Sequence, residues 1–271
     1  MEIINPTVEL WIQGPTIDDM FKHIERCARV CYKSEPKGEA RKFVETLLNK
    51  GHFRPLEAGT IVFDPDDLIQ NGILNSTEIG IFGHYSPWCK ILQDLFVTNF
   101  RFLVEMCNTK NLDWNDALKH MKILDFSPSY YRPTLHWNIS RGISDEFRTH
   151  VSLTSLCEST RYVNYQKKGM QFVKPTWYNL NEEKWFQLEC EHTEERYNNL
   201  INAGFQPQEA REILPLSIAT NLVQCGFVQA WENFWQQRCA PAAHPDARFI
   251  AEISKELIAI SDFKMNNGLV N

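Results

Sequence analysis

Apolar residues along this chain change period repeatedly without settling into a strand–helix–strand rhythm, and this constrains the fold more than any other feature. Met20, Ile24, Cys27 and Cys31 recur at intervals of three and four, which predicts a helix from a cap at Thr16 to about Tyr32. A second helix is expected over Glu39–Asn49, with Phe43 and Leu47 on one face and Gly51 ending it. The β-branched run Gly59–Asp64 (GTIVFD) reads as a strand, and Thr98–Glu105 and Thr134–Ser140 are further strand candidates. Later helices are expected from Gly142 to about Thr149, over Asn181–Gly204, after Pro207, up to about Arg238, and over Pro245–Ile260. The turn-rich stretch from Pro65 to Lys90 is expected to be an insertion or a cover. Such a mixture predicts an α+β or mixed α/β class. No glycine-rich phosphate loop is present, so the dinucleotide-binding and P-loop folds have no support.

Charge narrows the partners. Lys and Arg number 28 against 34 Asp and Glu, a formal charge of −6, which argues against a general nucleic-acid binder but leaves room for a local basic pocket. No apolar run approaches membrane-helix length, and the opening MEIINPTVELWIQ lacks the pattern of a signal peptide. The eight cysteines form no CxxC pair, so neither a metal site nor a disulfide framework is indicated. A cytoplasmic protein of 271 residues with free thiols, folded as a single domain, is the expectation.

Chemistry is most concentrated in Arg141–Tyr165 (RGISDEFRTHVSLTSLCESTRYVNY). Ser, Thr and Arg gathered in this way can present neutral donors and a fixed cation to a phosphate or a carbonyl. The competing reading is a polar helix start with Arg161 in a surface ion pair. Two further arginines stand in suggestive settings, Arg211 in QEAREILP and Arg238 after the aromatic pair Phe234–Trp235. A guanidinium kept partly dry interacts strongly with an anion, whereas a helix-terminal Arg compensating the dipole is the ordinary alternative.

RGISDEF followed by CESTRYVNY resembles the signature segment of the flavin-dependent thymidylate synthases, the thymidylate synthase complementing proteins. KFVETLLNKGHFRPLE, GFQPQEAREILPL and NFWQQRCAPAAHPDAR resemble three other segments of that family, in the same order, so the resemblance spans Lys42 to Arg248. It implies a central antiparallel sheet flanked by helices. It also implies transfer of a one-carbon unit from methylenetetrahydrofolate to C5 of dUMP, with FAD as cofactor, NADPH as reductant and a homotetramer whose active sites lie between subunits. By the same resemblance, Glu158, Ser159, Arg161 and Arg211 hold the nucleotide, Arg238 lies against the pyrimidine as the catalytic residue, and His52, His150 and Asn233 adjoin the flavin. No metal is implied.

The chain departs from the family pattern on the flavin side. Counting back from Ser159, the family's Arg-His-Arg triplet falls on Thr149, His150 and Val151, and both arginines are gone. Cys157 stands where the family has Glu or Gln, Gln229 where a flavin-contacting Arg is expected, and Ala58 where a His follows Glu57. Removing one charged hydrogen bond to a pyrophosphate costs about 1.5–3 kcal/mol. Three readings follow: a flavin-dependent dUMP methylase, a flavin-independent relative that hydroxymethylates a pyrimidine nucleotide, and a non-catalytic nucleotide-binding protein on the same fold. Cys157 is either a nucleophile or a packed thiol. Trp88, Trp177, Trp185, Trp231 and Trp235 either stack on folate or fill the core.

Overall fold

The computed structural model describes residues 1–266. The chain begins with β1 (Glu2–Ile4) and β2 (Thr7–Trp11), then α1 (Ile17–Val30), α2 (Ala40–Asn49) and β3 (Thr60–Phe63). Next come α3 (Pro65–Gln70), α4 (Ser76–Tyr85), β4 (Lys90–Leu92), β5 (Leu95–Asn99), α5 (Phe100–Lys110) and α6 (Trp114–Leu118). β6 (Thr134–Ser140) leads into α7 (Arg141–Phe147), β7 (Thr154–Cys157), α8 (Tyr165–Lys168), β8 (Gln171–Val173) and α9 (Leu180–Asn202). α10 (Pro207–Ala210), β9 (Ala219–Cys225), α11 (Val228–Arg238) and α12 (Pro245–Asn266) complete it.

The fold is mixed α/β, as expected, and among the described residues its sheet structure is in three pieces. The largest is antiparallel, ordered β2-β6-β9-β7, and its β6–β9 ladder runs from Thr134 opposite Cys225 to Ser140 opposite Ala219. A second antiparallel sheet is ordered β3-β5-β4, and β1 pairs in parallel with β8. The edge of β3 is tied to the rest by one amide. Gln13 Nε2 donates to the Thr60 carbonyl at 2.7 Å, and its Oε1 accepts from the Thr60 N–H at 2.8 Å.

Local signals explain several elements. Thr16 and Asp19 form a capping box at the start of α1, whose Met20, Ile24 and Cys27 are fully buried. The strand expected over Thr98–Glu105 ends at Asn99. The Asn99 side chain accepts from the Phe102 N–H at 3.0 Å, caps α5 and turns the remaining residues helical. The stretch expected as an insertion or cover holds α3 and α4, which bury Leu68 and Ile79 in the core shared with α1 and α5. A second core, of Trp137, Phe147, Trp231 and Phe234, joins the large sheet to α7 and α11. A third, around Tyr165, Phe172 and Tyr197, fastens α9.

The polar segment after Leu153 is a strand, not the start of a helix. β7 pairs with β9, where the buried Gln224 donates to the Ser155 hydroxyl and the Phe147 carbonyl, both at 3.1 Å. All eight cysteines are free; Cys27, Cys89, Cys107, Cys190 and Cys225 are buried, and Cys31, Cys157 and Cys239 are half-buried.

Candidate functional site

Arg238, at the end of α11, is drawn into a corner against α7 and the residues that follow it. Its Nε donates to His150 Nε2 at 2.9 Å, and its Nη1 donates to a Glu146 carboxylate oxygen at 2.9 Å. Nη2 donates to the Glu146 carbonyl at 2.7 Å and to the Thr149 hydroxyl at 3.0 Å. A guanidinium has five N–H groups, so these contacts leave one, on Nη1, without a partner among the described residues. His150 must offer a lone pair at Nε2 and is therefore neutral, with its proton on Nδ1. Burial, and then the Arg238 charge, lower its pKa from 6.5 to about 4. Phe234 packs edge-on to the imidazole at 4.9 Å and keeps water from that side.

The turn after β7 has a different construction. Glu158, expected among the substrate contacts, instead faces inward and is 1% exposed. One of its carboxylate oxygens accepts from Asn221 Nδ2 at 2.7 Å, while the other has no partner among the described residues. Burial, followed by the nearby Glu158 carboxylate, raises the pKa of the Tyr165 hydroxyl, yet no hydrogen bond of ordinary geometry joins the two groups. Ser159 donates its N–H to the Cys31 carbonyl at 3.0 Å. Arg161 is exposed and donates to Gln208 Oε1 at 3.2 Å; it makes no ion pair among the described residues. Arg211, one turn beyond Gln208, donates to Glu212 at 3.2 Å. Arg161 and Arg211 thus flank the same short helix, and Arg238 has a separate set of partners.

The flavin-side expectations also divide. His52 lines a cavity of about 420 Å³ together with Cys31, Tyr32, Phe43 and Cys157. His150 belongs to the Arg238 corner. Asn233 is exposed and accepts from Gln237 at 3.3 Å. Gln229 lines a different cavity, of about 260 Å³, with Gln93 and Tyr131. Val151 is 93% exposed, and Arg148, beside the altered triplet, pairs with Asp145 at 3.1 Å. Of the tryptophans, Trp231 and Trp235 are buried, whereas Trp177 and Trp185 are exposed.

Sequence reasoning did not single out Arg141 or Glu146. Arg141 Nη1 donates to Cys157 Sγ at 3.1 Å, and it lies 3.3 Å from both the Glu158 carbonyl and Thr220 Oγ1. The Ser144 and Thr220 hydroxyls each lie 3.5 Å from the same sulfur. Both missed residues belong to the RGISDEF segment, so their one advance signal was that location. No helix among the described residues is long and apolar enough to cross a membrane.

Residues 130–260 match the family described as thymidylate synthase complementing protein. A curated flavin-dependent thymidylate synthase from Pyrobaculum aerophilum is 29% identical over 158 residues, which cover 52% of this chain and 61% of the relative. The chain thus spans about three-fifths of that relative's length. Among solved structures, a UMP/dUMP methylase, PolB, from Streptomyces cacaoi bound with 5-Br UMP is 14% identical, with a TM-score of 0.47, and the match covers 96% of this chain and 92% of that one. Thymidylate synthase X from Helicobacter pylori with FAD and dUMP is 16% identical, with a TM-score of 0.40, over 52% of this chain and 74% of that one. The signature segment, the Ala-Arg-x-x-Leu-Pro segment and the C-terminal arginine segment all fall inside the matched residues; the stretch from Lys42 to Glu57 lies outside them.

Proposed function

We propose that this chain, whose residues 130–260 match the thymidylate synthase complementing protein family, is an enzyme transferring a one-carbon unit from methylenetetrahydrofolate to C5 of a pyrimidine deoxynucleotide, dUMP in the first instance. The observation that carries this reading is the Arg238 corner. There a half-dry guanidinium keeps one N–H without a partner among the described residues, beside a neutral imidazole and a carboxylate. C5 of a pyrimidine becomes nucleophilic when negative charge accumulates on the ring, and a fixed cation at the ring's polar edge stabilises that charge more in the transition state than in the ground state. Arg161 and Arg211 suit the phosphate end, since both are accessible and neither is buried in an ion pair. In a homotetramer with active sites between subunits, that pair from one copy would meet the Arg238 corner of another.

FAD is the family's cofactor, but the residues at its pyrophosphate positions do not fit it. Thr149 commits its hydroxyl to Glu146 and Arg238, Val151 is apolar, and Gln229 is neutral. This mismatch favours a second reading, in which the methylene group bonded to C5 is captured by water in place of hydride. Methylenetetrahydrofolate, dUMP and water then give 5-hydroxymethyl-dUMP and tetrahydrofolate, with no net electron transfer.

Purified protein is to be assayed with dUMP and methylenetetrahydrofolate, with and without FAD and NADPH, and the product weighed by mass spectrometry. A methyl product that requires FAD, with flavin absorbance retained by the protein, supports the first reading. A hydroxymethyl product from colourless protein supports the second. Arg238→Gln should lower either activity by on the order of 10²–10³-fold. Absence of any turnover in the wild-type chain would refute both and leave a nucleotide-binding protein.

A further inference from the structure

Across the end of α1 from the His52–Cys157 cavity lies a second cavity, of about 310 Å³, that the one-carbon chemistry does not use. Its wall carries Arg26, Arg29 and Lys33 against one carboxylate, Glu35, in a chain whose formal charge is −6. The three cations are not equivalent. Arg29 is neutralised by Glu25, whose carboxylate lies 2.7 Å from Nη2. Arg26 and Lys33 make no ion pair among the described residues, and the nearby Glu9 carboxylate is held by Trp11 Nε1 at 3.0 Å, 3.6 Å from His136 Nδ1, where it lies in the field of Arg26 without pairing with it. Lys33 also holds a left-handed backbone, at φ 47°, where glycine would be unstrained, so a lysine side chain is kept there at a conformational cost.

The floor is rigid and polar. Trp11 stacks on His136 at 4.4 Å and 18°, and the Arg26 guanidinium lies 3.7 Å from the Trp11 ring centre. Asn221 links this floor to the interior. Its Nδ2 donates to the Glu158 carboxylate, which fixes the amide orientation, so its Oδ1 accepts from His136 Nε2–H at 3.0 Å. One Asn221 N–H therefore remains for a ligand. Val30, Pro36 and the edge of Trp11 supply apolar wall beside these donors.

We propose that this cavity binds a phosphate group, either free or carried on a small ring compound, through Arg26, Lys33 and the spare Asn221 N–H. Two cations and a neutral donor converging on one concave surface match the tetrahedral oxygens of a phosphomonoester dianion. Neither cation is committed to a carboxylate in an ion pair among the described residues, so both keep N–H groups for an incoming anion. The apolar wall suits a ring attached to the phosphate. The site is separate from the Arg238 corner and does not depend on the one-carbon reading.

The test is calorimetric titration of the full chain with inorganic phosphate, dUMP and deoxyuridine, in the wild type, R26Q/K33Q, R26K/K33R and R161Q/R211Q. Inorganic phosphate should bind the wild type, R26K/K33R and R161Q/R211Q, with its dissociation constant raised at least tenfold in R26Q/K33Q. The His136 ring signals, followed by NMR, should shift on phosphate addition only where positions 26 and 33 remain charged. If dUMP binds this site more tightly than phosphate while deoxyuridine does not bind, the ligand is a phosphorylated ring; equal affinity for phosphate and dUMP assigns the site to the phosphate group alone. Equal phosphate affinity in the wild type and R26Q/K33Q, with both proteins showing the same melting temperature, overturns the proposal. So does an unmoved His136 ring. Loss of phosphate binding in R161Q/R211Q alone would assign the anion to the Arg161–Arg211 pair and overturn the proposal.

Discussion

Acid should weaken the fold through His23 by an amount the structure sets. The imidazole is enclosed on α1, with Nε2 3.1 Å from the Thr134 hydroxyl on β6 and 3.7 Å from Cys27 Sγ. Burial, then the positive charges of Arg26 and Arg132, lower its pKa from 6.5 to about 3. Above pH 6.5 the ring is neutral in both the folded and unfolded chains and contributes nothing. As the pH falls below 6.5, the unfolded chain accepts a proton that the folded chain refuses, so stability declines by about 1.36 kcal/mol per pH unit until about pH 3. At pH 4.5 the accumulated loss is about 2.7 kcal/mol, a large share of an ordinary domain's roughly 5–15 kcal/mol. Carboxylates also titrate in this range, so the wild type alone is ambiguous, and His23→Gln isolates the effect. Urea unfolding of both proteins at pH 7 and pH 4.5 should show the stability advantage of the wild type shrinking by about 2.5 kcal/mol, because glutamine cannot take the proton. A gap that stays constant within about 0.5 kcal/mol would refute the claim that burial keeps His23 neutral.

Three other outcomes are expected. Glu57 is buried and accepts from Arg101 at 2.8 Å and from the Thr154 hydroxyl at 2.6 Å, so Glu57→Ala should cost about 1–3 kcal/mol in chemical denaturation, by leaving the buried Thr154 hydroxyl without its acceptor while Arg101 keeps Glu105 at 2.6 Å. Arg238→Gln should raise the pKa of His150 from about 4, measured by NMR titration of the ring. It should not restore 6.5, because burial is the larger cause of the depression. Gly59→Ala would place a methyl group 2.5 Å from Ile24 Cδ1 and 3.0 Å from Met20 Cγ, both fully buried, and should lower the melting temperature through about 1–3 kcal/mol of overpacking.

The helices with strong local signals were legible in advance. Thr16 and the Met20–Ile24–Cys27 spacing gave α1 nearly to the residue, and Thr134–Ser140 emerged as β6 with its predicted bounds. β7 and β9 were not legible, because their stability comes from pairing with each other and with β6, not from apolar alternation; the buried Gln224 looks like a surface residue until its Phe147 and Ser155 partners are known. The error at Thr98–Glu105 has a similar origin, since a single side-chain cap at Asn99 outweighed a β-rich run. At the candidate site, Arg238 and His150 were named through family resemblance, but their 2.9 Å contact arises from packing of α7 and α11 around Trp137. Periodicity carries no information about where a guanidinium 88 residues away will point. The inward turn of Glu158 was equally hidden, because it depends on Asn221 across the sheet.

The placement of the cysteines gives this protein a built-in report on how it comes apart. Cys89 and Cys107 are sealed in the α1–α5 core, Cys190 in the core beneath α9, and Cys27 in a cluster with Trp11 and Leu156, while Cys31, Cys157 and Cys239 are only half covered. An alkylating reagent applied under native conditions would therefore mark the latter three first. The order in which the others acquire label, read by peptide mass, would reveal which part of the interior loosens before the rest.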